Sequence, residues 1–248
     1  MKSKFVIRLL AVIVVFCSCH DSKAQKNDWE KEGLKGKVKM VKEIISIESE
    51  RMGEWEKDTD KITYQIFNEK GNEIEENEYK LDGSLYNRAI CKYDVKDNRI
   101  EMDFYNSENC FLEKFTYNYD DKGNMIEKNG YSFDDSLWSK IIYKYDLNGN
   151  NIEESNSKYK YIYKYDDKGN KTEYYNCLDS SFFTKTIYKY DEKGNYIEEI
   201  IYNLDGSIYS KYTFKYEYDS YGNWLKKIRY KGERKTLCLV TEREITYY

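Results

Sequence analysis

The chain has 248 residues and a formal net charge of −4, with 41 lysines and arginines against 45 aspartates and glutamates. That balance, with no long basic run, excludes a cationic nucleic-acid reader. Twenty-eight tyrosines and no proline point to sheet, and the single histidine, His20, leaves the body without one, which excludes Ser–His and Cys–His catalysis and His-ligated zinc.

In chain order, Met1–Lys4 is positively charged and Phe5–Phe16 is apolar apart from Arg8. This pattern predicts a secretory signal over residues 1–18, too short for a membrane span. The run ends Phe16-Cys17-Ser18-Cys19, and a small residue directly before Cys19 resembles a bacterial lipobox, with Phe16 where leucine is usual. Cys19 is the expected lipid-attachment residue, which places the protein on the outer membrane or cell surface. The alternative is cleavage after Ala24 and a periplasmic or secreted protein. Residues 19–33 are expected to be a tether, and residues 34–248 a single repeat domain.

Within that domain Val38–Ile45 predicts an opening strand and Ser49–Asp60 a polar loop. A repeat then takes over. Its turn position falls at Gly71, Asp97, Gly123, Gly149, Gly169, Gly194 and Gly222, at steps of 20–28 residues, and asparagine follows every time. Four residues earlier stands Phe67, Tyr93, Tyr119, Tyr145, Tyr165, Tyr190 or Tyr218, and an aspartate follows that aromatic in every copy but the first, where Asn68 stands. The aspartate caps backbone N–H groups two residues on, and the glycine takes positive φ. Asp97 replaces glycine in one copy, as one of the few residues that tolerate that region. Second turns such as Leu81-Asp82-Gly83-Ser84 and Leu204-Asp205-Gly206-Ser207 complete a hairpin. The copy between Gly149 and Gly169 is short. Alternation such as Tyr143-Lys144-Tyr145 gives antiparallel strands with one aromatic face. The fold class expected is all-β: tandem antiparallel β-hairpin repeats forming one long twisted or spiralling sheet. About fifteen strands at ~4.8 Å spacing make it on the order of 70 Å long.

The columns, clearest as Tyr119-Asp120-Asp121-Lys122-Gly123-Asn124 and Tyr165-Asp166-Asp167-Lys168-Gly169-Asn170, resemble the YD repeats of the RHS family over roughly Ile62–Tyr230. The resemblance implies a spiralling hairpin sheet and carbohydrate binding. Large members of that family enclose a C-terminal toxin, whereas this chain ends in a repeat-like strand.

Two residue sets are candidates for chemistry. Tyr93, Tyr119, Tyr145, Tyr165, Tyr190 and Tyr218 could stack on sugar rings, although recurrence in nearly every copy fits repeat-to-repeat packing. The glutamate column (Glu75, Glu101, Glu127, Glu153, Glu173, Glu198) fits cross-strand pairing with lysine better than a metal site. Cys91, Cys110, Cys177 and Cys238 do not recur at one repeat position and read as isolated thiols. No catalytic residue, metal site or cofactor is expected. The functional expectation is a non-catalytic cell-surface binding or scaffold protein. Its partners would be a glycan or protein ligand and a membrane reached through an N-terminal lipid, with no nucleic acid. One alternative is a structural, secretion- or immunity-associated partner of a toxin-bearing RHS-type protein. A third reading is a glycan-acting enzyme.

Overall fold

The computed structural model describes residues 26–51, 54–178, 181–233 and 236–248. A short helix, α1 (Asp28–Lys31), precedes sixteen strands. These are β1 (Val38–Arg51), β2 (Glu54–Phe67), β3 (Glu73–Tyr79), β4 (Leu85–Tyr93), β5 (Arg99–Asn106), β6 (Phe111–Tyr119), β7 (Met125–Ser132) and β8 (Leu137–Tyr145), followed by β9 (Asn151–Ser155), β10 (Tyr159–Tyr165), β11 (Lys171–Leu178), β12 (Ser181–Tyr190), β13 (Tyr196–Tyr202), β14 (Ile208–Tyr218), β15 (Trp224–Lys231) and β16 (Thr236–Tyr247). Every strand pairs antiparallel with its chain neighbours, and β16 pairs with β1, so the sheet is a closed barrel.

Closure corrects the expected open, spiralling sheet. The hairpins are the expected ones, but right-handed twist accumulates along the ladder. Here it brings Val41 opposite Ile245 and Glu43 opposite Arg243, residues some 200 positions apart. The length foreseen for the sheet is in fact a perimeter, and no edge strand is left to template aggregation.

The turns behave as their residues require. Gly149, Gly169 and Gly194 have φ of +82 to +85°, and Asp97, the one replacement, has φ 63°. In each of five consecutive copies the turn aspartate accepts N–H groups two and four residues on, as Asp146 does from Asn148 and Asn150. A register shift follows at the next strand, between Lys144 and Tyr145 for example. The apolar column residues Ile74, Ile100, Ile126 and Ile197 sit beside these shifts and are 39–41% exposed, so they are not core.

The compact core is small and lies at one end. Val38, Val41 and Phe67 are buried, with Trp29, Leu34, Ile245 and Tyr247 packed on them. Asn27 caps α1 in a capping box with Glu30. The Trp29 N–H reaches the Gly71 carbonyl at 3.1 Å and its indole N–H the Val38 carbonyl at 2.9 Å. From Asn27 on, the segment before β1 is therefore docked against the barrel as a plug. The opposite rim, at the second turns, presents Phe133, Trp138, Leu204 and Tyr209, each more than half exposed.

Elsewhere, among the described residues, the close backbone contacts run between ladder neighbours. Sixteen strands enclose more space than side chains fill: at ~4.8 Å per strand the perimeter is about 77 Å, which leaves a hollow interior.

Candidate functional site

Strand alternation sorts the side chains onto two walls of different chemistry. The wall bearing Tyr117, Tyr143, Tyr163 and Tyr188 is the one the plug packs on, through Val41, Phe67 and Ile245, and it faces the interior. The other wall carries the glutamate column and faces solvent. There Glu153 is paired to Lys144 and Lys160, Glu173 to Lys164 and Lys185, and Glu198 to Lys189 and Lys211, at 2.6–3.3 Å. Glu75–Arg88, Glu101–Lys92 and Glu127–Lys140 continue the ladder. Hydrogen bonds that Lys164 and Lys211 donate to Glu173 and Glu198 raise the pKa of both lysines. A charged mid-strand belt of this kind is the reverse of the apolar band that a lipid-facing barrel needs.

On the inner wall the tyrosine column knits the copies together. Tyr93 donates its hydroxyl to the Glu73 carbonyl at 2.6 Å, Tyr119 to Arg99 at 2.8 Å, Tyr145 to Met125 at 2.9 Å, Tyr165 to Asn151 at 2.6 Å and Tyr190 to Lys171 at 2.7 Å. Each acceptor is the residue just after the turn asparagine of the preceding copy. In the last copy Tyr216 makes this bond, to Tyr196 at 2.9 Å, and Tyr218 instead stacks on Tyr216. Burial, then the Glu154 charge, pushes the Tyr145 and Tyr165 hydroxyls up to about 12, so they stay protonated donors. All six candidate tyrosines thus line one end of the interior. Five have their hydroxyls committed to the neighbouring copy, which leaves their ring faces as contact surface. Cys19 lies outside the described residues. Cys91 and Cys177 are buried thiols and Cys110 an exposed one.

Two inner-wall groups stand outside the columns. The first joins plug to barrel. Arg99 reaches Asp28 at 3.1 Å and Glu73 at 2.9 Å, and the Tyr93 hydroxyl meets Asp28 at 2.6 Å. Burial pushes the Asp28 carboxyl up, but the Arg99 charge and the Tyr93 and Lys31 contacts overcome this and hold it at about 2. Glu73 is raised, burial outweighing Arg99. Arg99 fills a column that holds Glu73, Met125, Asn151, Lys171, Tyr196 and Trp224 in the other copies. Its departure was visible in the sequence, but its partner Asp28 lies in the stretch read as tether.

The second group gathers at the short copy. Tyr159, Tyr161, Tyr174 and Tyr163 form a run of stacked rings, with centroids 5.6–6.3 Å apart and planes within 6–25°. Tyr163 is 8% exposed, and the other three are partly open to the interior. Glu154 lies beside them and accepts from the Asn151 amide at 2.8 Å. Lys171 sets its ammonium 3.8 Å from the Tyr163 ring centroid, and Lys128 sits 4.1 Å from that of Phe115. Across the barrel Lys227 lies over Trp224 at 5.2 Å. Burial lowers the pKa of all three lysines, and nearby cations add to this for Lys128 (Arg99) and for Lys227 (Arg243 and Arg229). Such a wall offers flat π faces and a few oriented charges; it holds no evident nucleophile and base pair.

No family model matches the chain, and no curated protein does. Among solved structures it is similar to a porin-like protein from Bacteroides uniformis, at a TM-score of 0.55 and 10% identity, over 84% of this chain and 96% of that one. An outer membrane lipoprotein-sorting protein domain from Vibrio parahaemolyticus aligns at a TM-score of 0.30 and 10% identity, over 84% of this chain and 85% of that one.

The first likeness shows a shared fold; the second, at that score, carries nothing further. The resemblance to YD and RHS repeats is corrected accordingly. The tyrosine, aspartate, glycine and asparagine columns are what a tandem hairpin needs to turn and to bond to its neighbour, and here they build a closed barrel. The reading as a partner of a toxin-bearing RHS protein loses its basis.

Proposed function

We propose that the protein is an exported, non-catalytic binding barrel that takes a glycan into its interior. The observation that carries this reading is the stacked run Tyr159–Tyr161–Tyr174–Tyr163 on the wall of an unfilled interior. Aromatic faces shed water readily against the apolar face of a sugar ring, while hydroxyl, amide and carboxylate groups nearby meet its hydroxyls. The candidate tyrosines of the repeat, from Tyr93 to Tyr218, add further ring faces at the plugged end.

The fold is shared with a porin-like protein, yet the outer wall argues against a membrane-spanning pore. Lipid-facing Lys costs about 2–4 kcal/mol at the bilayer midplane, and the outer ladder sets Lys144, Lys160, Lys164, Lys185, Lys189 and Lys211 around the waist. We therefore place the barrel in water, held to a membrane through Cys19. The chain enters the barrel at the plugged end, and the eight residues from Cys19 to Lys26, seven peptide steps, can span at most about 25 Å. An anchored barrel would turn its open rim away from the lipid.

The test is a glycan array probed with the mature protein, followed by Tyr161→Ala and Tyr174→Ala. Saccharide binding that both substitutions weaken supports the reading. No binding to any saccharide, with one protein recovered from envelope extracts instead, overturns it in favour of a protein ligand. Mass spectrometry of the mature N-terminus tests the anchor, and an unmodified chain beginning at Gln25 would refute it.

A further inference from the structure

The lysines of the two walls are treated in opposite ways. Those of the outer ladder are salted against glutamate. On the inner wall most cations are paired too: Lys61 with Glu78, Arg99 with Asp28 and Glu73, Arg229 with Glu199, and Arg243 with Glu43. Lys128, Lys171 and Lys227 are not. Among the described residues none has a carboxylate within the 4 Å of an ion pair, and each rests instead over an aromatic ring. Glu154 lies near Lys128 and Lys171 and partly offsets the effect of burial on both, as Glu43 and Glu199 do for Lys227. None of these carboxylates is in an ion pair with them: Glu154 accepts from Asn151, and Glu43 and Glu199 pair with Arg243 and Arg229.

A partly desolvated ammonium without a contact ion pair is unfavourable for the fold, since burial penalises charge and a π face or a more distant carboxylate returns only part of the loss. Three such groups on one wall call for an anion from outside. Their placement is regular. They stand on β7, β11 and β15, each four strands from the next, so neighbouring ammoniums are separated by about 19 Å along the wall.

We propose that the ligand is an acidic glycan, its carboxylate or sulfate groups held by Lys128, Lys171 and Lys227 and its sugar rings laid on the intervening tyrosines. This rests on the reading of the interior as a glycan site and narrows the ligand class. The chain as a whole is negative, at −4, so general attraction cannot gather a polyanion. The attraction is local to the interior, where a low dielectric strengthens it.

Calorimetry on the mature protein tests this with three probes: an oligogalacturonate, a heparin oligosaccharide and a neutral maltooligosaccharide. One or both acidic probes are expected to bind and the neutral one to bind far more weakly, with affinity falling as salt is raised. Replacing Lys128, Lys171 and Lys227 together with Gln should weaken acidic-probe binding about tenfold or more. The same three changed to Arg should keep it, and an outer triple of Lys144, Lys164 and Lys189 to Gln should leave it unchanged. The inner Gln variant should also melt close to the parent, because it removes charge that no contact ion pair stabilises; a large drop in melting temperature would mean that the three lysines are already compensated within the fold and would overturn the inference. Equal, salt-insensitive binding of the neutral probe overturns the acidic-glycan inference and leaves the glycan reading standing. An equal loss in the outer triple also overturns the inference. No binding of any probe, together with a blank glycan array, removes both.

Discussion

The side-chain amide of Asn223 donates to the Lys35 carbonyl at 2.9 Å, and its oxygen accepts the Lys35 N–H at 2.7 Å, a paired contact between residues 188 apart. In the middle copies the equivalent asparagine bonds back to its own turn aspartate, as Asn150 does to Asp146 at 2.9 Å. At the last turn the Tyr247 hydroxyl donates to Asp219 and accepts from the Asn223 amide at 2.8 Å, and that amide also reaches the plug. At the first turn Asn68 replaces the aspartate, and the Asn72 amide turns to Asp97 of the next copy at 3.1 Å. The repeat is altered at both ends of the array, where the ring is fastened.

Asn223→Ala removes both bonds to the plug and the bond to Tyr247, and should cost about 2–3 kcal/mol. Asn170→Ala, whose amide serves only its own turn, should cost about 1 kcal/mol. Thermal unfolding checks the difference, at roughly 2–4 °C per kcal/mol for a chain of this size. Equal shifts would mean that the bonds of Asn223 to the plug and to β16 do not fasten the ring.

Tyr145→Phe and Tyr190→Phe each delete one hydroxyl bond between copies while keeping the ring. Each should lower stability by about 1 kcal/mol, and the double variant by the sum, because the sites lie strands apart. Denaturant titration of the set measures this. A loss in sugar binding without a loss in stability would instead assign these hydroxyls to the ligand.

Gly149→Ala places a Cβ on a backbone with φ +82°, and should destabilise the hairpin by about 1–2 kcal/mol. Gly149→Asp should be milder, since Asp97 already occupies the same turn position at φ 63°. Melting temperatures in the order Gly, Asp, Ala are expected.

The plug contact sets an acid response. Asp28 titrates at about 2, below the ordinary carboxylate value of ~3.9. Its contribution is therefore complete above about pH 4 and is lost as pH falls through about 2. Glu73, raised by burial, has the opposite sign: its protonation favours the fold, so it offsets part of that loss. Asp28→Asn leaves Arg99 with Glu73 alone and should cost about 3 kcal/mol at neutral pH. It should also flatten the melting-temperature profile between pH 4 and 2. A variant that keeps the parental slope there would place the acid response elsewhere.

The hairpins were legible in the sequence because they are local. An aspartate that accepts from N–H groups two and four residues on, a glycine at positive φ and a period-2 strand are each written within about ten residues, and all appear in the barrel. The glutamate–lysine ladder was legible for the same reason, since it spans a single hairpin. Closure was not. It depends on β1 and β16, which carry no copy of the repeat, and on the twist summed over sixteen strands. Which wall is inner was not legible either, because both walls mix isoleucine or tyrosine with charge, and the register shift after every turn breaks the count of alternation. Lys128 and Lys227 share a column, five residues after the turn glycine, while Lys171 stands in another, two residues after it. Only a closed ring puts them on one wall facing one space, and it sets the tyrosines there as well.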